Sequence, residues 1–131
     1  MPTAAERQFH SDMVAGAQRL KREIGYNPVR FTQMLGEIGG VATAKQLLRG
    51  RDASDGFTTL WNARRLDVSV EAFVLLPWYE GLFTDAERDT ARRRLEAHEF
   101  DVARYLGDTV SSPPSWVSDS VNEEGAARDT C

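Results

Sequence analysis

Apolar residues near the start of the chain recur at steps of three and four: Phe9, Met13, Ala17, Leu20 and Ile24 share one face of a helix. Thr3 followed by Glu6 has the spacing of a capping box, and Gly25 is suited to the left-handed turn that ends a helix. The pattern predicts a helix over residues 4–24. Asn27 then reads as a cap, Pro28 as the first helical position, and Phe31, Met34, Leu35 and Ile38 as the apolar face of a second helix stopped by Gly39 and Gly40. A third follows through Val41, Ala44, Leu47 and Leu48 to Gly50, and the segment RGRDASDG reads as a loop.

Further along, Asp55 is placed to cap a fourth helix carrying Phe57, Leu60 and Trp61. Ser69 is placed to cap a fifth carrying Val70, Phe73 and Val74, ended by Pro77. The run VSVEAFVLL has the β-branched content of a strand, but nothing else in the chain offers that strand a partner, so helix is preferred. Thr84 and Glu87 repeat the capping-box spacing and open a sixth helix to about His98. Val102, Tyr105 and Leu106 predict a last short helix closed by Gly107. The expected fold is a compact all-α domain of about six or seven helices over residues 1–107. Its expected core contains Phe9, Met13, Leu20, Phe31, Leu35, Leu47, Leu60, Trp61, Phe73 and Leu95.

After residue 107 the periodicity stops. Residues 108–131 are rich in Ser, Pro and acids and read as a disordered acidic tail. They hold five acids against one base, which accounts for the whole formal charge of −4, and residues 1–107 are left neutral. A domain built to grip phosphate backbones usually carries a basic excess, so the balance argues against that role. With 41% hydrophobic and 27% charged residues the composition is that of a globular domain. No apolar run approaches membrane-spanning length and the N-terminal residues lack a signal-peptide pattern, so a cytoplasmic location is expected. The single cysteine, Cys131, excludes an internal disulfide or a cysteine-based zinc site, and no cofactor or metal site is expected.

Taken together, the segments GYNPVRF, GGVATAKQLL, GFTTLW, RLDVSVEAFVL and LFTDAERDTARRRL resemble a small bacterial family of uncharacterised helical proteins. The resemblance runs from Gly25 to Leu95. It implies a shared helical fold and brings no activity, cofactor or catalytic residue with it.

Four polar sets carry candidate chemistry. Asp67 and Glu71 would stand four apart on one helical face if the fifth helix began early, a pair able to hold a cation or share acid and base roles; the plainer expectation puts Glu71 in the first turn, where the helix dipole favours it. Arg88, Arg92, Arg93 and Arg94 would form a phosphate-binding face, set against a reading in which the interleaved acids pair with them. Residues 28–49 have the outline of a helix-turn-helix, with Thr43, Lys45, Gln46 and Arg49 on the reading helix, although core packing with a tight turn is the stronger account. His10 and His98 lie on different helices with no second ligand in view.

No catalytic set and no glycine-rich phosphate loop is found. The leading expectation is therefore a non-catalytic interaction module that binds a protein partner through Trp78, Tyr79, Leu82, Phe83 and Trp116. A nucleic-acid-binding module using the arginines of residues 85–98 is the alternative, and a small enzyme or metal protein around Asp67 and Glu71 the third.

Overall fold

The computed structural model describes residues 3–50, 55–114 and 116–117. Among these the chain is helical throughout its regular structure, with no strand: α1 Ala4–Ile24, α2 Val29–Ile38, α3 Gly40–Arg49, α4 Asp55–Asn62, α5 Val70–Val74, α6 Asp85–Ala97 and α7 Val102–Val110. Two short 3-10 segments, Leu66–Val68 and Pro77–Leu82, flank α5.

The punctuation read from the sequence explains most of these boundaries. Thr3 accepts from the backbone N–H of Glu6 while the Glu6 carboxylate accepts from that of Thr3, and Thr84 and Glu87 do the same for α6. Ser69 accepts from the Ala72 N–H and caps α5, so VSVEAFVLL is helix and 3-10 turn. Gly25, at φ 67°, closes α1 in the left-handed region.

Three boundaries differ from expectation. Asp55, expected to cap α4, is its first helical residue. Pro28 is the N-cap of α2 and not its first helical residue: its carbonyl takes the first helical bond, from Thr32 N–H at 2.9 Å, while Val29 N–H turns back to Asn27 C=O. The helix α7 runs through Gly107 to Val110, because a glycine inside a helix weakens it by only about 1 kcal/mol and does not by itself end it. The expected tail therefore begins inside a helix. Of the remaining tail and of the RGRDASDG loop, residues 51–54, 115 and 118–131 lie outside the described residues.

Long α1 is the spine. It packs on α2, α3 and the Pro77–Leu82 segment, while α6 packs on α5, α3 and α7. The core holds the expected Phe9, Met13, Leu20, Leu35, Leu60 and Leu95. Phe31, Leu47 and Phe73 are only half-buried, and Trp61 is 46% exposed, so it leaves the expected core. Its place is taken by Leu66, Val68, Leu75, Leu76, Tyr79, Phe83 and Val102.

The α1–α3 crossing depends on Gly40. A Cβ there would stand 2.7 Å from His10 Cα, so only glycine lets the two backbones approach this closely. Among the described residues no helix is long and apolar enough to cross a membrane.

Candidate functional site

Of the Pro77–Phe83 segment, expected to be an exposed contact patch, Tyr79 and Phe83 face inward. Pro77 starts the 3-10 turn, and the turn drives Tyr79 and Phe83 into the core against Phe9, with ring centroids 5.1 Å apart in both pairs. Tyr79 is fully buried, Phe83 is 7% exposed, and Trp78 and Leu82 are half-buried. A stretch of mixed aromatic and aliphatic residues after a proline gives no sequence signal for which side faces the core, and here the tight turn decides it.

The arginine set is divided as well. Arg94 passes under the body: its Nη1 donates to the Leu47 carbonyl at 3.1 Å and to Glu71 Oε2 at 3.2 Å, and its Nη2 donates to the Gly50 carbonyl. Arg88 donates to the Leu75 carbonyl at 3.0 Å. Arg93 pairs with Asp89 one turn earlier, and Arg92 is exposed. Two of the four thus hold the fold together, which leaves no four-arginine face for a phosphate chain.

Asp67 and Glu71 do not form a pair. Asp67 accepts from Arg65 Nε at 3.3 Å, and Arg65 also reaches Glu23 at 2.9 Å, tying the end of α1 to the turn before α5. Glu71 lies in the first turn of α5 and is 4% exposed. Burial pushes the Glu71 carboxyl above its ordinary range, opposed by its own backbone N–H and by Arg94.

The helix-turn-helix outline also resolves into packing. Thr43 is fully buried in α3, and Lys45 donates to Glu87 at 2.8 Å while its ammonium lies 5.4 Å from the centre of the Phe83 ring; Gln46 and Arg49 are exposed. Burial raises the Glu87 carboxyl, but the bonds from Lys45 and the Thr84 N–H outweigh it and hold the group below its usual value. Among the described residues the Thr43 hydroxyl has no hydrogen-bond partner. Thr43→Val is therefore expected to raise stability by about 1 kcal/mol, since it removes an unsatisfied buried oxygen at nearly constant shape; the midpoint of urea unfolding measures it.

His10 packs at the α1–α3 crossing, whereas the His98 ring stands edge-on between Phe57 and Trp61, each 4.8 Å away. Nδ1 of His98 is 2.7 Å from the Arg94 carbonyl, and because a carbonyl only accepts, that nitrogen carries the proton. Among the described residues no group of three or more His, Cys, Asp or Glu is placed to hold a metal ion.

What the sequence did not reveal is a groove of about 610 Å³. It lies where the C-terminal half of α1, the Tyr26–Met34 stretch, the end of α3, the start of α4 and α5 meet. Met13, Leu20, Phe31, Met34, Phe57, Leu60, Val70 and Phe73 make the walls apolar. Phe31, Met34, Val70 and Phe73 keep part of their surface open to it, and Val29 at the rim is 63% exposed. Its volume falls within the range of roughly 300–1,000 Å³ typical of ligand-receiving sites.

Two of the polar residues that line the groove, Ser69 and Glu71, are committed to internal partners. Ser69 Oγ donates to the Leu66 carbonyl at 2.6 Å and accepts from Ala72 N–H, so it serves as a cap and not as a nucleophile. Glu71 is bound by Arg94, which joins the ends of α3, α5 and α6 behind the groove wall. The arrangement offers an apolar surface with a buried ion pair in its wall, which is the chemistry of binding. The half-exposed Phe31 and Phe73 were the available hint: on a helical wheel they look like core, and only the packing shows that the face is left partly uncovered. No protein-family model, curated protein or solved structure matches the chain.

Proposed function

We propose that the protein is a non-catalytic helical module that binds a protein partner, and that the partner's apolar side chains enter the groove between α1, α2, α4 and α5. The observation that carries this reading is the uncovered apolar wall of Phe31, Met34, Val70 and Phe73, continued at the rim by Val29. Apolar surface left open in this way loses the stabilisation of burial, about 25 cal/mol per Å², until something covers it. The exposed rim favours a macromolecule over a small enclosed ligand, because contact then continues past the cavity itself.

The nucleic-acid reading has less support, since Arg88 and Arg94 are spent on internal carbonyls and Glu71. The test is co-purification of the full chain from a native-like host. Met34→Glu is expected to lose the partner at least tenfold while keeping the helical circular-dichroism spectrum. Arg92→Glu, at an exposed position of α6, is expected to change nothing. The opposite pattern, with recovery of salt-sensitive nucleic acid, would move the function to the arginines.

A further inference from the structure

We propose that Tyr79 is a redox-active tyrosine: an oxidising equivalent that reaches the half-buried indole of Trp116 or Trp78 passes inward to the Tyr79 phenol, and the phenol's proton passes to Asp12. Three contacts meet at this ring. Trp116 stacks on it at 5.8 Å and 25°, Trp78 stands edge-on at 6.5 Å, and the hydroxyl donates to Asp12 on α1. Tyr79 itself is fully buried, with Phe9 against it at 5.1 Å, so a solute cannot touch the phenol directly. The two indoles keep part of their surface in water. None of these residues lines the groove, so the inference stands apart from the proposed partner.

The carboxylate is what makes oxidation at a buried phenol possible. A resting phenol is a weak acid, and burial, joined by the bond to Asp12, raises Tyr79 far above its ordinary value. It keeps its proton until an electron leaves. The oxidised phenol is a strong acid, and a positive ring held out of water is costly, so the proton moves to a base already in contact. Asp12 is that base: burial raises its carboxyl more than the Tyr79 bond lowers it, which strengthens its hold on a proton. In the first step a one-electron oxidant, a radical of the azide or carbonate class, takes an electron from the indole, whose N–H proton is released to solvent. In the second, Tyr79 gives an electron to the indolyl radical and its O–H proton to Asp12, and the indole regains a proton from solvent. The products are the reduced oxidant, a neutral phenoxyl on Tyr79, a protonated Asp12 and an intact indole.

The test is pulse radiolysis of the full chain with the azide radical, which oxidises indoles first. The unaltered protein is expected to convert indolyl-radical absorption into phenoxyl absorption at a rate independent of protein concentration. Tyr79→Phe is expected to lose that conversion. Asp12→Asn, which keeps an accepting oxygen but cannot take the proton, is expected to slow it about a hundredfold with an unchanged circular-dichroism spectrum. A merely structural hydrogen bond would leave the rate where it was. Conversion that persists in folded Tyr79→Phe, or an unchanged rate in Asp12→Asn, would overturn the proposal. The chain has three tyrosines, so Tyr26→Phe with Tyr105→Phe leaves Tyr79 alone and serves should Tyr79→Phe not fold. That double variant is expected to keep the unaltered rate and yield, and loss of the phenoxyl there refutes the assignment.

Discussion

Arg94→Met is expected to destabilise the protein by about 3–5 kcal/mol, the usual cost of removing one partner from a buried ion pair. The Arg94 side chain is 10% exposed and Glu71's is 5%, so water cannot replace the lost guanidinium. The same substitution strips the Leu47 and Gly50 carbonyls of a donor at the end of α3, where the last turn of any helix has no intrahelical partners of its own. Replacing both members, Arg94→Met with Glu71→Leu, is expected to restore a large part of the loss, because an apolar pair leaves no charge stranded. Urea unfolding of the three proteins measures the difference.

The pH dependence follows from the same site. Burial, only partly opposed by the Glu71 backbone N–H and Arg94, raises the folded Glu71 above the ordinary glutamate value of 4.5. The folded state therefore holds a proton that the unfolded state has released, and this group's contribution to stability falls as pH rises from that value through its raised folded one. Without Arg94 the window extends to higher pH, so Arg94→Met is expected to regain stability on mild acidification more than the unaltered protein does. Glu87, held low, acts in the opposite sense: its contribution is full above the ordinary value and is lost as pH falls through its lowered one.

Phe9→Ala is expected to be comparably costly, about 3–5 kcal/mol, as for a fully buried aromatic cut to a methyl group. Phe9 is completely enclosed, and its edge contacts with Tyr79 and Phe83 join α1 to the Pro77–Leu82 segment and its end. Phe83→Ala is expected to show a similar kind of loss, which separates a core role from a surface one: a partner-contact residue would lose binding at unchanged stability. Thermal unfolding gives the size of each effect.

Where the sequence was informative, local physics decided the outcome. Thr3 with Glu6, Thr84 with Glu87, and Ser69 before a helical run satisfy backbone groups within a few residues, and each cap is found in the structure. The α1 face from Phe9 to Leu20 needed only periodicity. Residues whose placement depends on distant chain were not legible. Arg94 looks like one more surface charge until α3 and α5 bring two carbonyls and a carboxylate to it. Tyr79 looks exposed until a 3-10 turn rotates it inward, and Trp61 looks buried until its ring settles against His98 at the surface. At the end of α6, where glycine is usual, Glu99 takes the left-handed conformation at φ 62°, which composition does not announce. The groove is a deficit of packing between five elements, and no single stretch of sequence encodes it.

Site-specific photo-crosslinking in a native-like host tests the groove most directly. The full chain would carry the reactive group at Val29 on the rim or, as control, at the exposed Arg92 position of α6. The account predicts one discrete protein adduct from position 29, lost when Met34→Glu is added, and none from position 92. Equal adducts from both positions, or an adduct at 29 that Met34→Glu leaves intact, would contradict it.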